Sequence, residues 1–228
     1  MARTAYKLDA AGHALVSDAV AAAENTTAGE IVTIVTEQSD SYADIALAWS
    51  AILTFLALML LSWFPDGVLA LVDGMTGTWA NEWTPHEVLT LATGAGVLAF
   101  LVATALQLWA PLRLFLVPGT IKSARTRARA VAYFKVGAER RTHGRTGILI
   151  YLSMREHRAE IVADNAIAGE VADEVWGDAM AAILAHIREG RVAEGMVAAV
   201  EKVGTVLAEH FPRAENDVNE LPDRLIEL

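Results

Sequence analysis

Carboxylates that could bind a divalent cation are concentrated in one stretch of the second half of the chain. Asp164, Glu170, Asp173, Glu174 and Asp178 fall within 15 positions. Ca²⁺ and Mg²⁺ prefer oxygen ligands of this kind, so Asp164, Glu170 and Asp173 are the candidate metal ligands. Acidic residues in the first turn of a helix also offset the positive end of its dipole. The sequence favours that simpler interpretation and leaves the metal site as the alternative.

The histidines, serines and cysteines of the chain show no spacing typical of a metal site or of a catalytic nucleophile. Six histidines are scattered without an HExxH or paired i, i+4 arrangement. Ser153 near the end of an apolar run could be a nucleophile, but no basic partner is implied by spacing. The chain has no cysteine, which excludes disulfides and thiolate metal sites.

Two long apolar runs organise the chain, Ile45 to Pro65 and Val88 to Leu112. Neither contains Asp, Glu, Lys or Arg. At about 1.5 Å per residue, a helix of about 20 residues crosses the roughly 30 Å hydrocarbon core. Trp49 and Trp63 stand near the ends of the first run, where aromatic rings favour the headgroup level. The runs therefore predict a transmembrane hairpin, because the remaining chain is too small to surround both as core helices.

Charge is segregated along the chain, and this predicts orientation. The net charge is -10, yet residues 113–145 contain nine basic residues and one acid, whereas residues 8–112 contain no Lys or Arg. Positive residues beside a span stay on the cytoplasmic side. We therefore expect an inner-membrane protein with both termini and its folded domain in the cytoplasm, and an acidic loop outside. The first residues lack the apolar region of a cleavable signal peptide, so the first span should serve as the insertion signal.

The basic segment after the second run predicts contact with lipids rather than with nucleic acid. Positive side chains near a membrane exit are attracted to anionic headgroups, by about 1 kcal/mol each. No aromatic stacking platform accompanies the charge, as nucleic-acid binding would favour.

Outside the apolar runs, the pattern predicts a small α/β fold. The predicted strands are Glu30–Thr36, Gly147–Met154 and Ala159–Ala163, and the predicted helices are Leu8–Thr27, Thr120–Thr142, Glu170–Arg188 and Val192–His210. The first two strands should be parallel across a long crossover, and the last two should form an antiparallel hairpin. This places Asp164 near Arg145 and Thr146, at the sheet edge away from the membrane. The tail should form one amphipathic turn beginning around Pro222.

Several short motifs, in this order, resemble the TPM-domain family. They are Ala28-Gly29-Glu30-Ile31-Val32, Tyr42-Ala43, Thr146-Gly147-Ile148-Leu149-Ile150, Ala159-Glu160-Ile161-Val162, and Ile187-Arg188-Glu189-Gly190 through Glu194-Gly195. The resemblance covers roughly residues 8–44 and 120–211. It implies a three- to four-stranded mixed sheet flanked by helices, here with an inserted two-helix transmembrane hairpin.

The resemblance also implies two activities, but this chain differs from the family at two of its motifs. Acid phosphatase activity and calcium binding are attributed to some family members. Those members often carry Asp-Asn-Gly where this chain has Arg145-Thr146-Gly147, and Gly-Tyr-Gly-Leu-Glu where it has residues 163–167, Ala-Asp-Asn-Ala-Ile.

The expected organisation is therefore one domain interrupted by the hairpin. Residues 1–44 and 113–211 form the two parts of a TPM-like domain, residues 45–112 form the hairpin with its acidic outer loop, and residues 212–228 form a C-terminal tail.

Three functions remain open. The first is a protein-interaction module in the assembly or maintenance of a membrane complex, with membrane lipids and a protein partner, and with an oligomer left open. The second is a membrane-anchored phosphatase that uses Ca²⁺ or Mg²⁺ at the Asp164 edge. The third is an accessory subunit of a transporter, whose hairpin packs through Gly94 and Gly96 against other spans.

Overall fold

The computed structural model describes residues 8–77, 82–137, 146–213 and 224–228, and the side chain of Asp173 lies outside the described part. By its internal contacts the chain forms two compact units. The first consists of Met1–Asp40 together with Gly119–Leu228, and the second is Ser41–Pro118.

A mixed four-stranded sheet forms the centre of the first unit, in the order β3-β2-β1-β4. The strands are β1 (Glu30–Thr36), β2 (Gly147–Ser153), β3 (Arg158–Ala163) and β4 (Ile226–Glu227). β1 and β2 are parallel over their whole length, and β2 and β3 are antiparallel. Both predicted pairings are confirmed, as is the mixed sheet.

The fourth strand corrects the prediction for the tail. Pro222 lies outside the described residues, but Ile226 and Glu227 form a strand parallel to β1 rather than a helical turn. Leu225 is buried in the core, and the Leu228 N–H donates to the Val35 carbonyl at 3.0 Å. A strand is favoured here because it supplies partners for backbone groups at this edge of β1.

Helices cover the sheet on both faces. The helices of this unit are α1 (Ala10–Glu24), α6 (Gly119–Gly137), α7 (Asn165–Glu170), α8 (Gly177–Arg188) and α9 (Val192–His210), and those of the other unit are α2 (Ala43–Trp63), α3 (Pro65–Thr76), α4 (Pro85–Gln107) and α5 (Ala110–Leu116). Residues of α1, α8 and α9 share one core with Ile148, Ile150 and Leu152. Residues of α6 share the opposite core with Leu149 and Tyr151. This alternation along β2 explains why the strand is uniformly buried.

The single predicted helix Glu170–Arg188 is wrong, because only its second part, α8, is an α-helix, and a separate short helix, α7, ends at Glu170. α7 ends at Glu170, Val171 is extended, a 3₁₀ turn covers Asp173–Trp176, and α8 begins at Gly177. Val171 and Trp176 are both buried in the same core. Five positions apart on one helix they would point about 140° away from each other, so the extended residue lets both reach that core. The predicted basic helix is confirmed as far as Gly137, and its last part, residues 138–142, lies outside the described residues.

The second unit contains the two apolar helices. α2 and α4 are long and apolar enough to cross a membrane, and only 11% of the most apolar 18-residue stretch of each helix is buried. A core helix of a soluble domain would be mostly buried. The sequence predicts one span over Val88 to Leu112, whereas α4 ends at Gln107 and a separate helix, α5, begins at Ala110 with a proline in its first turn.

A short helix, α3, also lies in the connection that was expected to be an acidic loop. It begins at Pro65, whose fixed φ suits a first turn, and Gly77 follows its last residue with a φ of 73°.

Candidate functional site

A buried polar cluster lies where the parallel strands β1 and β2 end. Glu156, in the turn between β2 and β3, accepts the backbone N–H of Ser39 at 2.9 Å and the hydroxyl of Ser153. Ser153 and Ser39 are 0% and 2% exposed, and Glu156 is 4% exposed. A carboxylate buried to this extent is stable only when donors satisfy it, and these two donors do so.

Tyr151 extends the cluster from the neighbouring position on β2. Its hydroxyl lies 3.1 Å from the Ser39 hydroxyl, and its ring lies 6.0 Å from that of Tyr133 on α6. Burial raises the pKa of Tyr151 to about 12, although the hydrogen bond with Ser39 acts in the opposite direction. The phenol is therefore neutral at physiological pH and serves as a packing and hydrogen-bonding group.

Arginines of α6 close the cluster from the side of the helix. Arg129 donates through Nε to the Ser39 carbonyl at 3.0 Å, and its guanidinium lies over the Tyr133 ring at 5.8 Å. Arg125 forms an ion pair with Asp40 at 2.7 Å. The cluster thus fixes residues 39 and 40, immediately before the chain enters the second unit.

The same geometry defines what Ser153 can do. Its hydroxyl donates to a carboxylate inside the core, and no solvent reaches it. A nucleophilic serine needs a base and access for a substrate. The Ser153–Glu156 pair is therefore a structural contact that holds the β2–β3 turn.

Part of the positive charge of α6 is neutralised within the domain. Arg127 lies 3.4 Å from Glu160 on β3. Burial raises the pKa of Glu160 above its usual value, while Arg127 favours the ionised form. Together with the Arg125–Asp40 pair, this gives two arginines of α6 that have acidic partners within the described part of the domain.

Asp164 lies at the other end of the sheet, as the topology predicted. Its backbone N–H donates to the Gly147 carbonyl at 2.9 Å, next to Thr146, and Arg145 lies outside the described residues. The side chain caps α7, because Oδ1 accepts the Asn165 N–H at 2.8 Å. Asp164 is 4% exposed, and its Oδ2 is buried with no hydrogen-bond partner.

Of the other two proposed metal ligands, only Glu170 has a described side chain, and it lies away from Asp164. Glu170 is exposed at the end of α7, about 9 Å of helix rise from Asp164, and the Asp173 side chain lies outside the described part. Among the described side chains, no three of the types His, Asp and Glu are grouped closely enough to hold a metal ion. The metal site therefore stays a prediction that rests on one buried carboxylate oxygen.

An open groove of about 580 Å³ lies between the start of α1 and the turn from α8 to α9. Its lining is mostly apolar and consists of Leu8, Asp9, Ala11, Gly12, Leu15, Gly190, Val192, Ala193 and Glu194. Gly190 has a φ of 77°, which forms the tight turn and which side chains rarely tolerate. Gly12 allows close packing, since a Cβ there would lie 2.6 Å from Leu8 Cδ2. The groove therefore depends on two glycines that the sequence places in different halves of the chain.

The second unit contains a polar network between its apolar helices. Gln107 of α4 donates to the Ala46 carbonyl at 3.0 Å and to the Ser50 hydroxyl of α2 at 3.1 Å, and Thr104 donates to the same hydroxyl at 3.1 Å. Polar contacts of this kind hold helices together where apolar burial gives no preference. Gly96 faces Leu58 and Thr54 within this hairpin, whereas the position beside Gly94 is open.

Sequence reasoning missed three of these features: the role of Glu156, the network around Gln107, and the groove. A lone amide near the end of an uncharged run was a usable signal for Gln107. The other two depend on contacts between distant parts of the chain.

Comparisons with known proteins agree with this architecture. Residues 109–206 match the family model of the TPM domain. The NMR structure of the BA42 protein from the psychrophilic bacterium Bizionia argentinensis superposes with a TM-score of 0.56 and 18% identity, covering 100% of both chains. At that identity the likeness shows the fold alone. No curated protein matches the chain.

The matched segment includes α6, β2, β3, α7, α8 and most of α9, which are two of the four strands and most of the helices that cover the sheet. The chain therefore carries a TPM domain.

Proposed function

We propose that this chain is a two-span membrane protein whose TPM domain acts as a protein-interaction module in the assembly or maintenance of a membrane complex. The observation that carries the proposal is the open groove, which is mostly apolar and lies at the surface of the first unit. Exposed apolar recesses with polar rims are typical of protein-docking sites. The two apolar helices support the membrane part of the proposal.

The buried polar cluster supports the same choice. Its Ser, Tyr and Glu side chains are bonded to one another and shielded from solvent. Groups that perform acid–base or nucleophilic chemistry must reach a substrate. These groups instead give the domain a rigid frame from which a surface can bind a partner.

The location we propose is the inner membrane, with both termini and the TPM domain in the cytoplasm. The support is the basic segment after the second apolar run and the absence of Lys and Arg from residues 8–112. In this orientation the partner is a cytoplasmic protein or the cytoplasmic part of a membrane protein.

The experiment is purification of the tagged full chain from native membranes in mild detergent. The expected result is a complex of defined stoichiometry containing a second protein. Recovery of the chain only as a monomer with lipid, both in detergent and after crosslinking in intact membranes, would contradict the proposal.

One observation favours a second candidate, a membrane-anchored phosphatase that uses a divalent ion. It is the buried Asp164 Oδ2 without a hydrogen-bond partner, since such an oxygen is suited to bind a cation. In this candidate Ca²⁺ or Mg²⁺ would supply charge stabilisation for a phosphoryl group, and Glu170 and Asp173 would have to approach Asp164.

The test of this candidate measures thermal stability with Ca²⁺ or Mg²⁺ and hydrolysis of a generic phosphomonoester by the purified full chain. Asp164→Asn should abolish both the stabilisation by metal and the hydrolysis. Asp18→Asn, which removes an exposed carboxylate from α1, is the matched control. If the unaltered chain shows neither response, the phosphatase candidate is wrong.

A further inference from the structure

The groove combines an apolar surface with negative charge. Leu8 and Ala11 provide apolar surface, and Leu15 is 45% exposed although Val16 beside it is fully buried. A leucine that α1 presents to solvent contributes nothing to the core of the domain. It does provide apolar area that a bound segment could cover.

Among the described residues that line the groove, the two charged ones are acidic. Asp9 and Glu194 are exposed at its rim, and this described lining contains no Lys or Arg. The adjacent Arg191 is engaged by Glu189, to which it donates through Nε at 3.1 Å. An occupant that complements this surface must therefore be apolar where it meets Leu15 and positively charged where it meets the rim.

We propose that the groove binds a segment of a partner protein in which an apolar side chain stands next to a lysine or arginine. This inference rests on the proposed function and specifies the partner's chemistry. An anionic lipid surface is disfavoured as the occupant, because the two rim carboxylates would repel it. The apolar side chain covers Leu15 and Leu8, and the cation lies between Asp9 and Glu194.

The binding experiment uses the full chain in nanodiscs of zwitterionic lipid, with empty nanodiscs as a blank. The probes are two fluorescent amphipathic peptides with the same leucine pattern, one carrying lysines and the other glutamates. The lysine peptide should bind and the glutamate peptide should not. The affinity of the lysine peptide should fall as the salt concentration rises, because the rim carboxylates are exposed and salt screens exposed charges. Equal binding of both peptides would overturn the proposal.

Two variants locate the binding site on the protein. Glu194→Gln should lower the affinity for the lysine peptide about two- to five-fold, the range of an exposed ion pair. Leu15→Gln should lower the same affinity about tenfold through lost apolar contact. The matched controls are Glu201→Gln on the same helix and Val175→Gln, an exposed apolar residue elsewhere. Equal losses in variants and controls would contradict the assignment.

A photo-crosslinker in place of Leu15, used in native membranes, tests the natural partner. The expected product joins the chain to a segment with an apolar residue beside Lys or Arg, and Glu194→Gln should reduce its yield. A product with lipid, with a second copy of this chain or with an acidic segment would overturn the inference. If purification recovers a stoichiometric partner that this crosslinker does not reach, the groove assignment fails while the interaction function stands. If no partner is recovered, both fail.

Discussion

The carboxylate of Glu156 accepts the backbone N–H of Ser39, 117 positions earlier in the chain, at 2.9 Å. This bond joins the β2–β3 turn to the segment that follows β1. Ser153 donates to the same carboxylate, and Arg129 donates to the Ser39 carbonyl. One acidic side chain therefore fixes the point at which the sheet ends and the inserted unit begins.

Removing this carboxylate should destabilise the domain. Glu156→Ala leaves the Ser39 N–H and the Ser153 hydroxyl without this acceptor in a buried site, and each such group costs about 1–3 kcal/mol. We expect the free energy of unfolding, measured by denaturant titration of the full chain in detergent, to fall by at least about 2 kcal/mol. Glu156→Gln should lose less, because the amide keeps one acceptor oxygen.

The matched control for this variant is Glu201→Ala, which removes an exposed carboxylate from α9. It should change the free energy of unfolding by less than about 0.5 kcal/mol. Equal effects of the two alanine variants would show that the buried cluster does not hold the domain together.

Tyr151 should make stability depend on pH in the alkaline range. Its pKa is raised to about 12 in the folded state, against 10.0 as its ordinary value. Between these values the unfolded chain loses the phenolic proton while the folded chain keeps it, so stability falls as pH rises from about 10 to 12. The loss across this window is on the order of 2–3 kcal/mol.

Denaturant titrations at several alkaline pH values measure this effect, and phenolate absorbance follows the ionisation directly. Tyr151→Phe should flatten the decline in this window. An unaltered decline in the Phe variant would assign the pH dependence to other groups.

The two glycines of α4 should differ in their tolerance of a large side chain. A Cβ on Gly96 would already lie 3.4 Å from Leu58 Cδ2, whereas nothing lies within 4 Å of that position on Gly94. Gly96→Leu should therefore separate α2 from α4, at a cost of about 1–3 kcal/mol from overpacking. Gly94→Leu should leave the hairpin intact.

A cysteine pair reports this separation, because the chain has no cysteine of its own. The hydroxyls of Ser50 and Thr104 are 3.1 Å apart, so Ser50→Cys with Thr104→Cys should form a disulfide readily. Gly96→Leu should slow that reaction, and Gly94→Leu should not. If Gly94→Leu instead released a protein partner, the transporter-subunit function would gain support.

The proposed orientation predicts which residues an impermeant thiol reagent labels in spheroplasts. Met75→Cys, at a position 81% exposed on α3, should be labelled from outside. Val175→Cys, at a position 44% exposed in the TPM domain, should be labelled only after the membrane is opened. The reverse pattern would place the TPM domain on the outer side and would contradict the use of charge segregation.

The sequence predicted elements whose signals are local. The β-branched run Glu30–Thr36 has the bounds of β1, and α9 begins after the Glu189-Gly190-Arg191 turn, as expected. The parallel pairing of β1 and β2 also followed from chain order. In each case a few neighbouring residues, or the length of a connection, decide the structure.

Features that depend on distant contacts could not be predicted in this way. Ile226 and Glu227 form a strand only because β1 offers them an edge, and Val171 is extended because it and Trp176 enter one core. In the sequence Glu156 has no feature that distinguishes it from an ordinary turn residue, because its role depends on the contact with Ser39. The groove exists because the first turns of α1 and α9, which are far apart in sequence, lie side by side.

The pairing of Ile31 with Ile148 has a consequence for biosynthesis. Both apolar helices and α6 leave the ribosome before β2 is available, and at about 5–20 residues per second this takes several seconds or more. During that interval β1 lacks its principal partner strand, and an exposed β-branched strand is prone to aggregate. Completion of the sheet must therefore follow synthesis of both apolar helices, and any delay in translating them prolongs the exposure of β1.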